Sequence, residues 1–423
     1  MSTLQIFSII VFVLVMAVII SEKLHRATVA LTGGIILILT GVLTFDESIE
    51  AVDFNTLGVL LGMMLFVGVV KESGLFEYLA IRSAKAVKGN PWKIMIAFTI
   101  ITAVCSAFLD NVTTVLLVGP MTITICEMMK TNPVPFLLAE ILSSNIGGTA
   151  TLIGDPPNIM IGSAANLSFV DFVMVDAPVI IVIMVVLILF FRFKFKKNLI
   201  VSEQDRAEVL QMNEKEAIKN PALFKKSVVM IFLVVLAFML HGVLGLESCE
   251  IALTAGLVMV ILGHADFEKV VHHVEWPTLL FFIGLFIVVG GMEATGVISM
   301  LADFIMEATA GNMVLTMLVI LWVSALLSAI LDNIPFVATM IPLVIAMGAD
   351  GMDVTPLWWA ISLGACLGGN GTLIGASANV VLSGISNKHG YPITFVEFLK
   401  IGMPVMLISV AIATVYLVLR FAL

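Results

Sequence analysis

Two acids sit where an apolar chain has least reason to keep them. SAFLDN (106–111) interrupts one oily run with Asp110 and Asn111, and SAILDN (328–333) interrupts another with Asp332 and Asn333. A carboxylate near the bilayer centre costs roughly 2.5–3.5 kcal/mol on insertion scales, so such groups persist where they face a cavity or an ion. Each half also carries an apolar stretch that cannot stay helical. SSNIGGTATLIGDPPN (143–158) contains Gly147-Gly148 and Pro156-Pro157, and ACLGGNGTLIGASAN (365–379) contains Gly368, Gly369 and Gly371. Glycine permits non-helical backbone, and proline removes a donor from it. Helices broken at membrane depth free carbonyls for a cation and amides for an anion.

These four segments define a candidate site. The first tip supplies Asp110, Asn111 and Thr113; the second supplies Asp332 and Asn333, with Pro335 in place of the threonine. Thr149, Asp155 and Asn158 line the first break, and Asn370, Thr372, Ser377 and Asn379 line the second. Hard oxygen donors at Asp110, Asn111, Asp332 and Asn333 suit a coupling Na⁺, and the carboxylates suit H⁺ equally. Amide-rich helix ends suit an oxyanion or a neutral hydroxide. Blander readings stand beside these. Thr149 and Thr372 can bond neighbouring backbone. Asp155 can cap a helix beginning at Pro156, and Glu140 reads either as a proton site or as a paired helix residue. No cofactor is called for.

The elements that must position these groups are membrane helices. The chain has 423 residues, 60% of them hydrophobic and only 12% charged, with a mean hydropathy of +1.15. A soluble domain cannot hide that much apolar surface, and runs of about 18 apolar residues read as spans. Spans are expected at 3–21, 27–44, 56–71, 134–165, 177–193, 227–244, 251–263, 278–292, 355–385 and 401–419. Two further apolar pairs, 92–129 and 313–348, hold the Asp-Asn steps near their middles. Each pair reads either as two crossings joined by an ordinary turn or as a re-entrant hairpin. Backbone that leaves the helix at depth needs protein or water beside it, which favours hairpins meeting the breaks.

Charge placement sets an orientation. With both termini outside, every Lys and Arg except Arg420 falls on the cytoplasmic side, including the basic loop 192–226. That loop reads as a part-helical linker with Ser202 as a cap before EQDRAEVL. The expected location is the cell membrane, multi-pass.

The chain also repeats itself. DFNTLGVLLGMMLFVGVV (53–70) matches EWPTLLFFIGLFIVVGGM (275–292), Pro120 matches Pro342, TLIGDPPN (151–158) matches TLIGASAN (372–379), and FVDF (169–172) matches FVEF (395–398). Residues 1–222, including the linker, form one repeat and 223–423 the other. Five spans per repeat is an odd number, so the second enters the membrane upside down. Inverted repeats with broken helices are a signature of secondary transporters. The expected fold is therefore an all-α polytopic membrane protein of two inverted-topology repeats, each with a re-entrant hairpin and a discontinuous helix.

At FSAFLDNVTTVLL and NIGGTATLIGDPPN the chain resembles the ion transporter superfamily. Within it the motifs are similar to the branch of arsenical-pump membrane proteins, sodium/proton antiporters and P proteins, and to P-protein-like members in particular. The resemblance implies a scaffold domain that dimerises and a transport domain that moves as an elevator. It also implies secondary transport of a small inorganic ion, of the arsenite or oxyanion efflux type or anion transport, coupled to H⁺ or Na⁺. A Na⁺/H⁺ antiporter and a sodium-coupled di- or tricarboxylate transporter are the alternatives. Divalent anion/sodium symporters carry Ser-Asn-Thr at the tips. Here those positions read Asp110-Asn111-Val112 and Asp332-Asn333-Ile334, which argues against tip hydroxyls holding a dicarboxylate.

Other classes fit less well. No GxxxxGK[ST] phosphate loop occurs, so a primary pump would need a separate ATPase subunit. A membrane-embedded hydrolase wants HExxH or GxGD, and neither is present. The four cysteines show no metal-ligand spacing and read as small buried hydrophobes, so any arsenite handling would use oxygen ligands. The expected partners are the lipid bilayer, a small inorganic ion and a second copy of the chain, with no nucleic acid.

Overall fold

The computed structural model describes residues 1–21, 23–196 and 199–422, and every regular element among them is helical. The first half opens with α1 (Thr3–Ile20), α2 (Arg26–Leu39), the short α3 (Phe45–Glu50), α4 (Phe54–Lys71) and α5 (Leu75–Ala86). The hairpin α6 (Pro91–Phe108) and α7 (Asn111–Met128) follows, then the broken span α8 (Val134–Gly148) and α9 (Pro156–Ala165), then the long α10 (Phe169–Phe195). After the linker helix α11 (Glu203–Gln211) the same series returns. It runs α12 (Pro221–Leu244), α13 (Ser248–Gly263), α14 (Phe267–His272), α15 (Trp276–Ala294), α16 (Val297–Ala308), α17 (Met313–Ser328), α18 (Asn333–Ala349), α19 (Thr355–Gly368), α20 (Ser377–Lys388) and α21 (Phe395–Phe421).

The repeat extends to the chemistry that starts and bends each helix. Asn90 caps α6 and Asn312 caps α17. Ser168 with Asp171, and Thr394 with Glu397, close capping boxes at the starts of α10 and α21. Glycines with left-handed backbone, Gly74 and Gly296, lead into α5 and α16. Pro120 and Pro342 sit inside α7 and α18 at matching places.

The packing is also paired. α2 lies against α15 and α4 against α13, so these helices exchange partners between the halves. α6 packs on α8 and α17 on α19, while α7 reaches across to α20 and α18 to α9. Lipid supplies no hydrophobic drive between helices, so close backbone approach does the work. A Cβ on Gly62 would stand 2.2 Å from the Ala252 carbonyl carbon, and one on Gly284 would stand 2.4 Å from the Leu31 nitrogen. The outside is apolar: Phe232, Val243, Ile181 and Phe193 are exposed, whereas Asn145, Asn158, Glu140 and Asp176 are fully buried. That inside-out distribution is a membrane protein's.

Eight of the described helices are long and apolar enough to cross a membrane: α1, α4, α6, α7, α10, α12, α15 and α21. α2, α8, α13 and α18 are shorter. Several expected edges move. α10 begins at Phe169, before the expected 177, because its capping box starts it there. α12 begins at Pro221, where the Asn220 side chain takes the first free amides. The amphipathic α3, α5, α14 and α16 were not anticipated, because their mixed polar and apolar residues read as loop. In the linker, Ser202 accepts the Asp205 amide at 3.1 Å and caps α11, as the sequence suggests.

Candidate functional site

Each hairpin tip is tied to the break of its own half. Ser106 Oγ donates to the Ser144 carbonyl at 2.7 Å and Ser328 Oγ to the Ala365 carbonyl at 2.6 Å. The Thr151 hydroxyl donates to the Ala107 carbonyl, and Thr372 Oγ1 donates to the Ala329 carbonyl at 2.5 Å. Gly147 and Gly368 make this contact possible. A Cβ there would lie 2.3 Å from the Ala103 oxygen and 2.5 Å from the Ala325 oxygen, respectively. Length alone would let α6 and α7 cross as two spans. Their tip is nevertheless fastened to the middle of α8–α9, so it stops at the depth of the break. The re-entrant hairpin is the arrangement found.

The tip acids differ. Asp110 caps α7: its Oδ1 accepts the Thr113 amide at 2.7 Å, and its Oδ2 accepts the Thr113 hydroxyl. Asp332 caps α18 only weakly, accepting the Ile334 amide at 3.3 Å. Its Oδ2 instead receives Arg26 Nη1 at 2.8 Å and Ser377 Oγ at 2.9 Å. The same Arg26 nitrogen reaches Ser377 Oγ at 2.9 Å, its Nη2 reaches Thr278 Oγ1 at 3.3 Å, and the Phe281 ring lies 5.1 Å beneath the guanidinium.

Asp155 occupies the N-cap position of α9 but makes no side-chain cap bond. Both of its oxygens instead face Asn333 Nδ2 at 3.3 Å. The first break and the second tip therefore meet.

The asparagines mostly hold structure. Asn158 Nδ2 donates to the Thr149 and Thr151 carbonyls at 3.1 and 2.9 Å. Asn379 Nδ2 does the same for the Gly369 and Thr372 carbonyls at 2.8 and 2.9 Å. These staples occupy carbonyls that the sequence reading left free for a cation. Asn145 sits at the centre and is fully bonded. It donates to Asn370 and Asn379 at 2.9 and 2.8 Å and accepts from Asn111 at 3.1 Å. Asn370 Nδ2 turns to the Leu142 carbonyl at 3.3 Å. Thr149 bonds the Asn145 carbonyl at 2.8 Å within its own helix, the blander of its two readings. Glu140 is buried against the Thr122 hydroxyl, between α7 and α8.

Asp110, Asn111, Asp155, Asn333 and Ser377 line one small cavity of about 30 Å³, together with Arg26, Glu275 and Thr278. A second cavity, about 350 Å³, lies on the other side of Arg26, Asp332 and Ser377, and runs along α1 past Met16, Ile19 and His25. Asp332, Thr113, Thr149, Asn158, Asn370, Thr372 and Asn379 are not on the small cavity; Asp332 lines the larger one, and Asn158 and Asn379 hold the breaks in shape. Among the described residues no three His, Cys, Asp or Glu side chains are grouped as a metal site. The four cysteines are all free.

Arg26, Glu275 and Asn145 were missed by the sequence reading. In the sequence Arg26 reads only as an orienting charge. Its place at the first turn of α2, where a positive charge opposes the helix dipole, was the available signal. Glu275 was seen only as the repeat partner of Asp53.

Repeated broken helices converging on buried carboxylates define a membrane transporter. The chain belongs to the citrate transporter (CitMHS) family, whose model matches residues 16–364. It is 42% identical to an uncharacterized transporter of Mycobacterium tuberculosis over 99% of both chains. It is 40% identical to a 46 kDa membrane protein of Mycobacterium leprae, again over 99% of both. The P protein of Homo sapiens is 33% identical over 95% of this chain, which spans 58% of that longer protein. Among solved structures, the YdaH transporter of Alcanivorax borkumensis superposes with a TM-score of 0.65 over 89% of this chain and 88% of its own, at 15% identity. That likeness is one of fold.

Proposed function

We propose that the chain is a secondary active transporter of a small inorganic ion, with the coupling H⁺ or Na⁺ taken up between Asp110 and Asp155. The observation that carries this reading is the small cavity. Asp110 from the first tip and Asp155 from the first break line a space of about 30 Å³ together with Glu275 and Arg26, whose guanidinium is already paired with Asp332. That is about the volume of one water. The carboxylates there repel one another until a proton or cation arrives, and intramembrane acids of this kind mark ion paths. Sodium would complete its shell with amide, hydroxyl and backbone oxygens; a proton needs only a carboxylate.

Arg26 supports an anionic cargo, with arsenite-type oxyanions the first class to try. An oxyanion entering the larger cavity competes with Asp332 for the guanidinium fork, which suits planar oxygen pairs. Movement would follow the elevator scheme, with α2, α4, α13 and α15 as the dimerising scaffold and the hairpins and broken spans as the moving body. The two repeats divide near residue 222. Lys and Arg placement supports both termini outside and 192–226 in the cytoplasm.

One observation favours a second reading. The larger cavity, about 350 Å³, has room for a di- or tricarboxylate.

The test is uptake into proteoliposomes with imposed H⁺ and Na⁺ gradients, using arsenite, antimonite, phosphate, chloride and citrate as probes. Gradient-driven uptake of an inorganic ion, lost in Asp110→Asn, is expected. Gradient-driven uptake of citrate alone would select the carboxylate reading. Flux indifferent to both gradients would make the chain a passive channel.

A further inference from the structure

Asp176 lies on α10, behind the cavity and fully buried. Its Oδ2 is 2.7 Å from Ser362 Oγ on α19, and its Oδ1 has no hydrogen-bond partner among the described residues. Ser362 Oγ also stands 2.8 Å from Asn158 Oδ1. The Asn158 amide cannot turn over, because both its hydrogens are held by the Thr149 and Thr151 carbonyls. One hydroxyl hydrogen therefore meets two acceptors, and it can satisfy only one. On the other side of Asn158, Cys366 Sγ is 3.5 Å from the same Oδ1, so the amide oxygen has two donors to choose between.

We propose that Asp176 is a proton-binding site whose occupancy is passed through Ser362 and Asn158 to the Cys366 thiol. With a proton on Asp176, the carboxyl O–H donates to Ser362 Oγ. Ser362 then turns its own hydrogen to Asn158, and the Cys366 thiol is released from that oxygen. With Asp176 ionised, Ser362 donates to Asp176 and Asn158 takes the Cys366 hydrogen instead. One proton enters or leaves, at Asp176; the Ser362 and Cys366 hydrogens only rotate, and no covalent bond between them breaks.

The groups facing Asp176 from the helices around α10 leave it to do this. On α21 Arg420 is turned to the Met174 carbonyl at 3.1 Å, and on α19 the Cys366 thiol faces Asn158. Glu140 on α8 is turned to Thr122, and His241 on α12 to the Phe238 carbonyl. By the FVDF and FVEF match, the position corresponding to Asp176 in the second half is Gly402, so the relay belongs to one half only.

This inference deepens the proton-coupled reading of the cavity, and its test needs neither cargo nor gradient. Infrared spectra of the full chain in lipid bilayers are recorded across pH for wild type, Asp176→Asn, Ser362→Ala and Cys366→Ala. A protonated-carboxyl C=O band absent from Asp176→Asn is expected, and the Cys366→Ala spectrum identifies the S–H stretch of that thiol. As the carboxyl band titrates away, the S–H stretch should shift in wild type and stay still in Ser362→Ala. A carboxyl region unchanged by Asp176→Asn at every pH overturns the proton site. An S–H stretch in wild type that ignores the titration overturns the relay. Either failure leaves gradient-driven transport standing, and failure of transport leaves the spectra standing.

Discussion

Breaking the Arg26–Asp332 pair should release the second tip from α2, and the cost can be worked from its geometry. At 2.8 Å and an effective dielectric of about 20, the gross attraction is about 6 kcal/mol. Desolvation of two ions cancels most of that. The side chains keep 29% and 16% of their surface exposed, so screening reduces it again, toward but not down to the 0–1 kcal/mol of surface pairs. A coupling energy of about 1–3 kcal/mol is therefore expected from a double-mutant cycle. The variants are Asp332→Asn, Arg26→Met and the two combined, compared by thermal unfolding in lipid nanodiscs. Each single variant strands a charge from its ion-pair partner: Arg26 keeps Ser377, Thr278 and the Phe281 ring, and Asp332 keeps Ser377 and the Ile334 amide. The double variant removes both charges and should recover part of the loss. Additivity within about 0.3–0.5 kcal/mol would refute the pairing and, with it, the view that Arg26 holds the second tip.

Three further outcomes follow from the same contacts. Asp155→Asn should raise the half-saturation concentration of the coupling ion by about tenfold, or ~1.4 kcal/mol, with stability nearly unchanged because its 3.3 Å contacts to Asn333 are long; an unchanged half-saturation in ion-dependent uptake removes Asp155 from the site. Gly147→Ala should lower stability by about 1–3 kcal/mol, because its Cβ meets the Ala103 oxygen at 2.3 Å, whereas Gly384→Ala meets nothing within 4 Å and serves as the control; equal melting temperatures would contradict the close approach. Asn111→Cys and Asn333→Cys, tested with small hydrophilic thiol reagents, should react from opposite sides of the membrane in different states, and labelling of both only at the surface in every state would restore an ordinary turn.

Most of the architecture was legible because it is written in strong, periodic signals. A mid-run Asp-Asn step and a double glycine each mark a place where a helix ends, and both recur in the second half, whereas the double proline of the first break is replaced there by Ser377-Ala378. The short helices α5 and α16 were invisible for the opposite reason. LFEYLAIRSAKA mixes charge with apolar residues over twelve positions, and only packing against α7, α6 and α11 gives that face partners. The site was half legible. Residue type told that Asp110, Asp155 and Asn333 were costly to bury, and they do share a cavity. It could not tell that Asn158 and Asn379 spend both amide hydrogens stapling their own breaks. Nor could it tell that an arginine more than 300 residues away in sequence reaches Asp332, since that pairing depends on how α2 and α15 pack.

The two halves share a backbone plan but not a charge plan, and the difference falls on one side. Arg26 begins α2, and its counterpart at the start of α13 is Ser248. The second tip acid therefore has a cation, while Asp110 has only Thr113 and the backbone. Asp155 is matched by Ala376 and Asp176 by Gly402, so the surplus acids lie in the first half. Among the described residues none of these three first-half acids forms an ion pair, whereas Asp332 does. A repeat with matched charges could exchange its two conformations with no bias between them. In the proposed elevator exchange the surroundings of these unpaired carboxylates would change, and a ligand shifts such an equilibrium only by its differential affinity for the two states. The proton or cation that completes Asp110 and Asp155 would supply that difference, which is the physical basis for placing the coupling step in the first half and cargo recognition at Arg26.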